Sequence, residues 1–416
     1  MKKLILLLLL GWLCSLAFAM TTAKSLFYAD SYMLRAEGVE ASYWNPARLR
    51  SGRATDLWLP GLNSAVSVSN NALDLDTYNY FVSRDTLHAV DKEHILRNVK
   101  GKLSLSAESS ISIFGFTMGN TALSSSTRIF AKSEAQEDIL RLALYGNTED
   151  SYSFNKASNN VSATAYSDIS YGFGDLKVPF IPPELPEIKA GFSVSALIGL
   201  GDIQTRHFTS EFSTDPQSGT NASLEAVIRS SNGGIGFKSM LGLYSKVTPQ
   251  MELGLTLDNI FGNIVWLGAR EEREYQVKID SLFVTNFDDD FYDQTDETRD
   301  IDSYSSTLPM ELRLAGKYDL DFMDLSADWV QGFKESAVTN ATGRLSIAAG
   351  LKPLPFLPLG FGILLPNSQT PLKTSYSIGI SSKMHEFAIA VQSYNSLIPG
   401  YKSKGVSVGT SMRFWF

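Results

Sequence analysis

The chain is poor in the residues on which enzymes and disulfide-stabilised domains depend. One cysteine, Cys14, occurs in 416 residues, so no intramolecular disulfide and no thiolate metal cluster can form. Four histidines, His88, His94, His207 and His385, are scattered. The first two are six apart, the wrong spacing for a shared metal-binding helix face. There is no Gly-x-Ser-x-Gly elbow and no Gly-rich phosphate loop, and the many serines lack a supporting motif. No catalytic residue and no cofactor is therefore expected, and the chain does not read as an enzyme. Past the first twenty residues no stretch approaches 18 continuous apolar residues, which excludes a helical membrane protein. Positive charge is also in deficit: the formal net charge is −8, which argues against nucleic acid as a partner.

What the chain does have is alternation, most clearly in its last twelve residues, Gly405 to Phe416. Even positions carry Val406, Val408, Thr410, Met412, Phe414 and Phe416; odd positions carry Gly405, Ser407, Gly409, Ser411, Arg413 and Trp415. A period of two with one apolar face is a strand pattern. The edge strand of a soluble sandwich would alternate in the same way, but ending it on Phe-Trp-Phe leaves nothing to cover the aromatics. An outer-membrane β-barrel covers them with lipid. Phe414 and Phe416 also resemble the terminal aromatic signal read by barrel-insertion machinery.

The other terminus agrees. Lys2 and Lys3 precede the apolar run Leu4–Leu10, and Ala17-Phe18-Ala19 supplies a small-x-small cleavage pattern, together a secretory signal peptide over residues 1–19. Cys14 would be discarded with it, and loss of the two lysines takes the formal net charge to −10. Aromatics make up 11% of residues while mean hydropathy stays near zero, as expected when apolar residues alternate with Ser, Gly and Thr. The organisation expected is a signal peptide (1–19), an N-terminal segment (20–55) and one transmembrane barrel (56–416).

Fourteen alternating segments are expected, at about 56–70, 102–118, 121–132, 157–174, 187–211, 220–246, 250–280, 303–319, 322–333, 341–352, 358–366, 372–383, 385–396 and 403–416; the longest could conceal turns, and the count is held as 14 with 12 or 16 as alternatives. Asn232-Gly233-Gly234 is one suspect. Every second connection is mostly short, whereas 71–101, 133–156 and 281–302 are long. Barrels of this class have short periplasmic turns and longer outer loops, so both termini are expected in the periplasm. Pro179–Pro186 and Pro353–Pro358 then fall on the periplasmic side. Proline suits such turns because it fixes φ and donates no ladder bond.

Two loops read as partly helical. In 133–146, Ser133 and Gln136 resemble a capping box ahead of Ile139, Leu142 and Ala143, with Gly146 as the stop. In 91–101, Asp91 is a candidate cap and Gly101 the stop. The densest charge cluster is Asp288-Asp289-Asp290. It is a weak candidate for Ca²⁺, because hard cations favour several carboxylates, but it lacks EF-hand spacing and reads better as a solvated loop. The inward face collects Asp168, Lys238, Lys246, Glu252, Asp258, Glu311, Arg313, Lys317, Asp328, Arg344, Glu386 and Arg413. Charges of both signs favour a filled lumen over a wide pore.

Between the signal and the first strand runs Met33 to Leu49, with the core Tyr43-Trp44-Asn45-Pro46-Ala47. Asn before Pro is pushed out of the α region, and Pro46 fixes the next φ, so the pair makes a rigid corner. Small residues Gly38, Ala41 and Ala47 allow close approach to a wall. An ordinary turn into the first strand would need no more. The aromatic-Asn-Pro-Ala pattern resembles the N-terminal motif of the FadL-like fatty-acid transporter superfamily and of the PorV-like barrels that act in type IX secretion. The stretch Asp56–Asp76, with Val66-Ser67-Val68-Ser69-Asn70-Asn71, looks like an uncharacterised branch. The resemblance implies a hatch inside or beneath a 14-stranded barrel, with Tyr43, Trp44, Asn45, Pro46 and Ala47 at its gate. The function it implies is binding or transport of small hydrophobic molecules. The alternatives are a PorV-like barrel holding a secreted protein, or a structural or adhesive surface barrel. Outer-membrane lipid is the expected surrounding in every case.

Overall fold

The computed structural model describes residues 22–50, 55–84, 86–99, 101–147, 151–182, 184–215, 219–282, 292–336, 339 and 341–416. The wall begins with β1 (Asp56–Trp58) and β2 (Ser64–Asn70), which share one position in the sheet. Next come β3 (Lys102–Met118), β4 (Thr121–Gln136), the short outer strand β5 (Ser151–Asn155), β6 (Asn160–Lys177) and β7 (Ile188–Asp215). Three wall positions are then each built from two pieces. β8 (Gly219–Ser231) leads into β9 (Gly234–Lys246), and β10 (Met251–Trp266) into β11 (Arg270–Leu282). After the outer strand β12 (Tyr292–Asp300), β13 (Tyr304–Thr307) leads into β14 (Glu311–Asp319). The wall is completed by β15 (Met323–Gly332), β16 (Arg344–Leu354), β17 (Leu357–Leu364), β18 (Lys373–Ser381), β19 (His385–Tyr394) and β20 (Gly405–Trp415).

All pairings are antiparallel. β20 bonds to β19 on one side and to β1 and β2 on the other, which closes the sheet. Counted around the wall, the described residues form a 14-stranded transmembrane barrel. Closure is what lets such a wall sit in lipid, because no strand edge is left with unpaired backbone groups.

The alternation expected from the sequence sets the two faces. On β7, Gly191, Ser193, Ser195 and Leu197 are buried while Phe192, Ile198 and Leu200 face out. On β14, Glu311, Arg313 and Ala315 are buried and Leu314 is exposed; on β19, Ala388 and Ala390 are buried while Phe387 and Ile389 are exposed. Tight turns gather at one end, at Gly119-Asn120, Pro355-Phe356 and Ser382–Met384. At the other end lie the longer connections.

Those connections differ from expectation in four places. The strand β4 runs through Ser133, paired with Leu105, to Gln136. The helix there, α4 (Glu137–Tyr145), starts only at Glu137 and has no side-chain cap; ladder pairing takes up the residues assigned to a capping box. Gly146, at φ 76, does end it. Asp91 lies inside its helix, α3 (Ala89–Val99), and reaches back to accept from the His88 backbone N–H at 2.9 Å. A further helix, α2 (Leu75–Val82), is capped by Asp74. Asn232-Gly233 does not reverse the chain: β8 and β9 continue in one direction, one pairing with the outer half of β7 and the other with its inner half. Finally, much of 281–302 is strand. β12 pairs with β11, which pairs with β8, so β7, β8, β11 and β12 extend the wall beyond the apolar belt as an open sheet, edged by β5 on its other side.

Candidate functional site

Residues 22–50 do not trail from the barrel. Nearly every side chain from Thr22 to Leu49 is buried, including Lys24, Glu40, Asn45 and Arg48. The segment is a chain of short turns: a 3₁₀ turn at Ala23–Tyr28, another at Gly38–Glu40, α1 (Ala41–Trp44), and a last 3₁₀ turn at Pro46–Arg48. Turns this short cannot bury a core of their own, so they pack on the inner face of the wall.

The Asn-Pro corner is the tightest of these contacts. Asn45 takes φ −157 and ψ 98, the extended conformation that a following proline demands. Its side-chain oxygen accepts from the Ala47 N–H at 3.1 Å, and its amide nitrogen donates to the Leu243 carbonyl on β9 at 2.9 Å. One side chain thus holds its own turn and ties it to the wall. The wall meets it with glycine: a Cβ at Gly174 on β6 or Gly191 on β7 would overlap the Pro46-Ala47 backbone, and one at Gly242 on β9 would overlap the Asn45 side chain and the Pro46 ring.

The aromatics beside the corner are each anchored at both ends. Tyr43 stacks on Trp58 with ring centroids 6.1 Å apart, and its hydroxyl donates to Asp168 on β6 at 2.7 Å. Arg128 on β4 lies over the Tyr43 ring, 5.0 Å from its centroid, and 3.7 Å from Asp168. Trp44 meets Tyr32 edge-on at 5.6 Å, donates to the Thr22 hydroxyl at 3.0 Å and carries Arg313 over its ring. Around them Tyr32, Met33, Leu34, Ala36, Val39, Ala47 and Trp58 form one apolar cluster with Tyr244 of β9 and Ala315 of β14.

Charge pairing between the segment and the wall is extensive. Lys24 pairs with Glu386, Arg35 with Asp324, and Arg48 with Glu252 at 2.7 Å. Ser31 donates to Asp328 at 2.7 Å, and the Met33 N–H donates to the same carboxylate at 3.0 Å. Arg413 stands 3.7–3.9 Å from Asp56, Glu40 and Glu37. The expected inward charges are thus buried or half-buried, apart from Lys246 at an exposed strand end. The segment supplies partners for Asp168, Glu252, Asp328, Glu386 and Arg413. Lys238–Asp258 and Arg313–Glu311–Arg344 pair within the wall. No periodicity points to the segment as a partner, because the paired residues lie up to 376 positions apart, as in Glu37 and Arg413. Each such pair takes two charges out of solvent, and pairing offsets the cost that either would carry if buried alone.

The outer side of the same wall carries a groove. Gly316 and Ala327 are adjacent, and their small side chains leave a depression of about 510 Å³. Leu243, Leu253, Leu314, Trp329 and Leu345 surround it, and Tyr244, Gly254 and Ala315 also line it. From inside, Leu34 and Met33 press against Gly254, within 2.8–3.0 Å of where a Cβ would stand.

The remaining site residues lie elsewhere. Phe414, on the outer face, pairs with Leu57 and His385. Phe416 is exposed, with its N–H donated to the Thr55 carbonyl at 3.0 Å. Asp288, Asp289 and Asp290, the signal peptide and Cys14 lie outside the described residues.

A family model described as a family of unknown function, DUF5723, matches residues 55–264, just over half of the chain. The chain belongs to this family. No curated protein matches it. Among solved structures, the toluene transporter TodX of Pseudomonas putida is similar at 8% identity and a TM-score of 0.49, over 96% of this chain and 98% of that one. The toluene transporter TbuX of Ralstonia pickettii is similar at 13% identity and TM-score 0.46, over 92% and 95%. A FadL homologue of Pseudomonas aeruginosa is similar at 13% identity and TM-score 0.46, over 96% and 97%.

Proposed function

We propose that this member of the family is an outer-membrane barrel that binds or moves small hydrophobic molecules, with residues 22–50 as its hatch and Tyr43–Ala47 as the gate. In this reading the tight-turn end and both termini face the periplasm. The observation that carries the reading is the adjacency of two apolar surfaces. Tyr244 and Ala315 belong both to the hatch's apolar cluster and to the lining of the outer groove, so a single layer of wall separates the two. An apolar molecule in the lumen would meet Met33, Leu34 and Trp44, and one in the membrane would meet the groove. Movement of the hatch away from Gly254 would open space between the two. The buried charge pairs restrain that movement until ligand contacts replace what is lost.

The experiment is binding of a radiolabelled monoaromatic or long-chain apolar probe to the purified barrel, with and without filling of the groove by Gly316→Leu and Ala327→Leu. Saturable binding that weakens in the filled variant supports the reading. A parent that binds no apolar probe refutes it.

A second reading, a PorV-like barrel that holds a secreted protein, draws on the open sheet of β7, β8, β11 and β12 beyond the apolar belt, whose outermost described strand is exposed from Asp293 to Asp300. Recovery of a secreted protein bound to the intact barrel, lost on shortening that sheet, would favour it.

A further inference from the structure

Beneath the hatch, at the tight-turn end, the barrel encloses a second space of a different character. Its volume is about 380 Å³, and its roof is made by hatch residues including Phe27, Tyr28 and Arg35. Pro355 of the β16–β17 turn and Pro358 at the start of β17 line its other side. Six cationic side chains line it against three anionic ones. Four of the cations are already engaged: Lys24 with Glu386, Arg35 with Asp324, Arg48 with Glu252 and Lys317 with Asp319. Two remain less satisfied. Lys352 has no ion-pair partner among the described residues. Arg413 is 5% exposed, stands beyond hydrogen-bonding distance from the carboxylates around it, and has an Nε that donates no hydrogen bond. Tyr28, half-buried at the roof, has a hydroxyl with no hydrogen-bond partner among the described residues.

We propose that this cavity is a binding site for a small organic anion bearing carboxylate or phosphate groups, held by Lys352, Arg413 and Tyr28. A volume of 380 Å³ lies within the range of small-molecule sites. It is separate from the apolar groove, and the proposal does not rest on transport of hydrophobic molecules. An ammonium and a guanidinium lining one cavity make charge-assisted bonds to an oxyanion. Its wall offers the Ser381 hydroxyl without adding negative charge, while the Ser377 hydroxyl donates to the Phe27 carbonyl at 3.2 Å. The shared chemistry, an oxyanion, is found both in soluble metabolites and in phospholipid headgroups.

The test is calorimetric titration of the full-length barrel in neutral detergent with citrate and with inorganic pyrophosphate. Saturable binding of at least one probe is expected, weakening as salt is raised. Lys352→Glu should weaken it about ten- to a hundredfold, the effect of losing a hydrogen bond to a charged group. Ser381→Glu, which places a carboxylate in the cavity, should also weaken it. Lys278→Glu, on the outer sheet, should leave it unchanged. Displacement of the bound probe by short-chain phosphatidylglycerol would assign the site to a lipid headgroup; failure to displace would assign it to a soluble anion. Absence of saturable binding by both probes, or equal affinity in Lys352→Glu and the parent, would overturn the proposal.

Discussion

Gly191→Ala is the smallest change that should unseat the hatch. Gly191 sits on the inner face of β7, and a methyl there would overlap the Pro46 peptide and stand 2.6 Å from its carbonyl oxygen. Neither side can yield cheaply. β7 is held by β6 and β9 across the ladder, and Pro46 is fixed in φ. Overpacking of this kind costs about 1–3 kcal/mol. If the corner lifts, the Asn45 hydrogen bond to the Leu243 carbonyl breaks as well, at about 0.5–1.5 kcal/mol. The combined shift of about 1.5–4.5 kcal/mol would raise the population of barrels with a displaced hatch by about one to three orders of magnitude. The barrel itself should survive, because its ladder does not depend on the hatch. The assay is limited proteolysis of residues 22–50 in detergent, together with single-channel conductance in planar bilayers. Faster cleavage and larger, more frequent openings are expected. Gly316→Ala on the outer face, where the nearest atom would be 3.6 Å away, is the control and should behave as the parent. A Gly191→Ala barrel with unchanged proteolysis and conductance would refute the argument that the corner is seated against glycine.

Other consequences follow from the same geometry. Ile389→Arg on the lipid face should lower barrel stability by about 2–4 kcal/mol near mid-bilayer, measured by denaturant titration in vesicles, whereas Ala388→Arg, beside the buried 3₁₀ turn at Ala23–Tyr28, should expel the hatch while leaving the barrel inserted. Tyr43→Phe removes the donor to the buried Asp168 carboxylate and should cost about 1–3 kcal/mol of hatch protection, read by hydrogen exchange over 41–49; no change would show that the contact is idle. Asp91 has its carboxyl held below its ordinary value of 3.8, first by the His88 N–H. A lowered pKa stabilises above the ordinary value and is lost as pH falls through the lowered one. Exchange protection of residues 88–99 should therefore persist at pH 5 and fall only below about 3.8; loss at pH 5 would contradict the assignment.

Sequence made the wall legible because alternation is local: each strand reports its own two faces, and fourteen candidate segments correspond to the fourteen wall positions. It misplaced boundaries where local signals conflict. Ser133 carries a cap signal but lies in β4 because its partner Leu105 is available, and Asn232-Gly233 carries a turn signal although β8 and β9 run on in line. Of the open outer sheet, β7, β8 and β11 fall largely within expected segments, whereas β12 reads as loop because Tyr292–Asp300 is polar on both faces, so no period of two marks it. In the hatch, the conformation of Asn45-Pro46 was legible because proline constrains its neighbour. Its seat was not. Gly174, Gly191 and Gly242 read as ordinary strand glycines until the three strands are brought side by side.

The most direct test of the central claim joins Ser31 of the hatch to Ser326 of β15, whose hydroxyl oxygens are 2.7 Å apart. Ser31→Cys with Ser326→Cys, in a chain whose one native cysteine is Cys14, should form a disulfide in the inserted barrel, visible as a mobility shift reversed by reductant. Conductance and apolar-probe uptake should be low when it is oxidised and recover on reduction. An inserted barrel in which these two cysteines stay reduced under oxidising conditions, or one whose uptake is indifferent to the cross-link, would contradict a hatch within the lumen that controls passage.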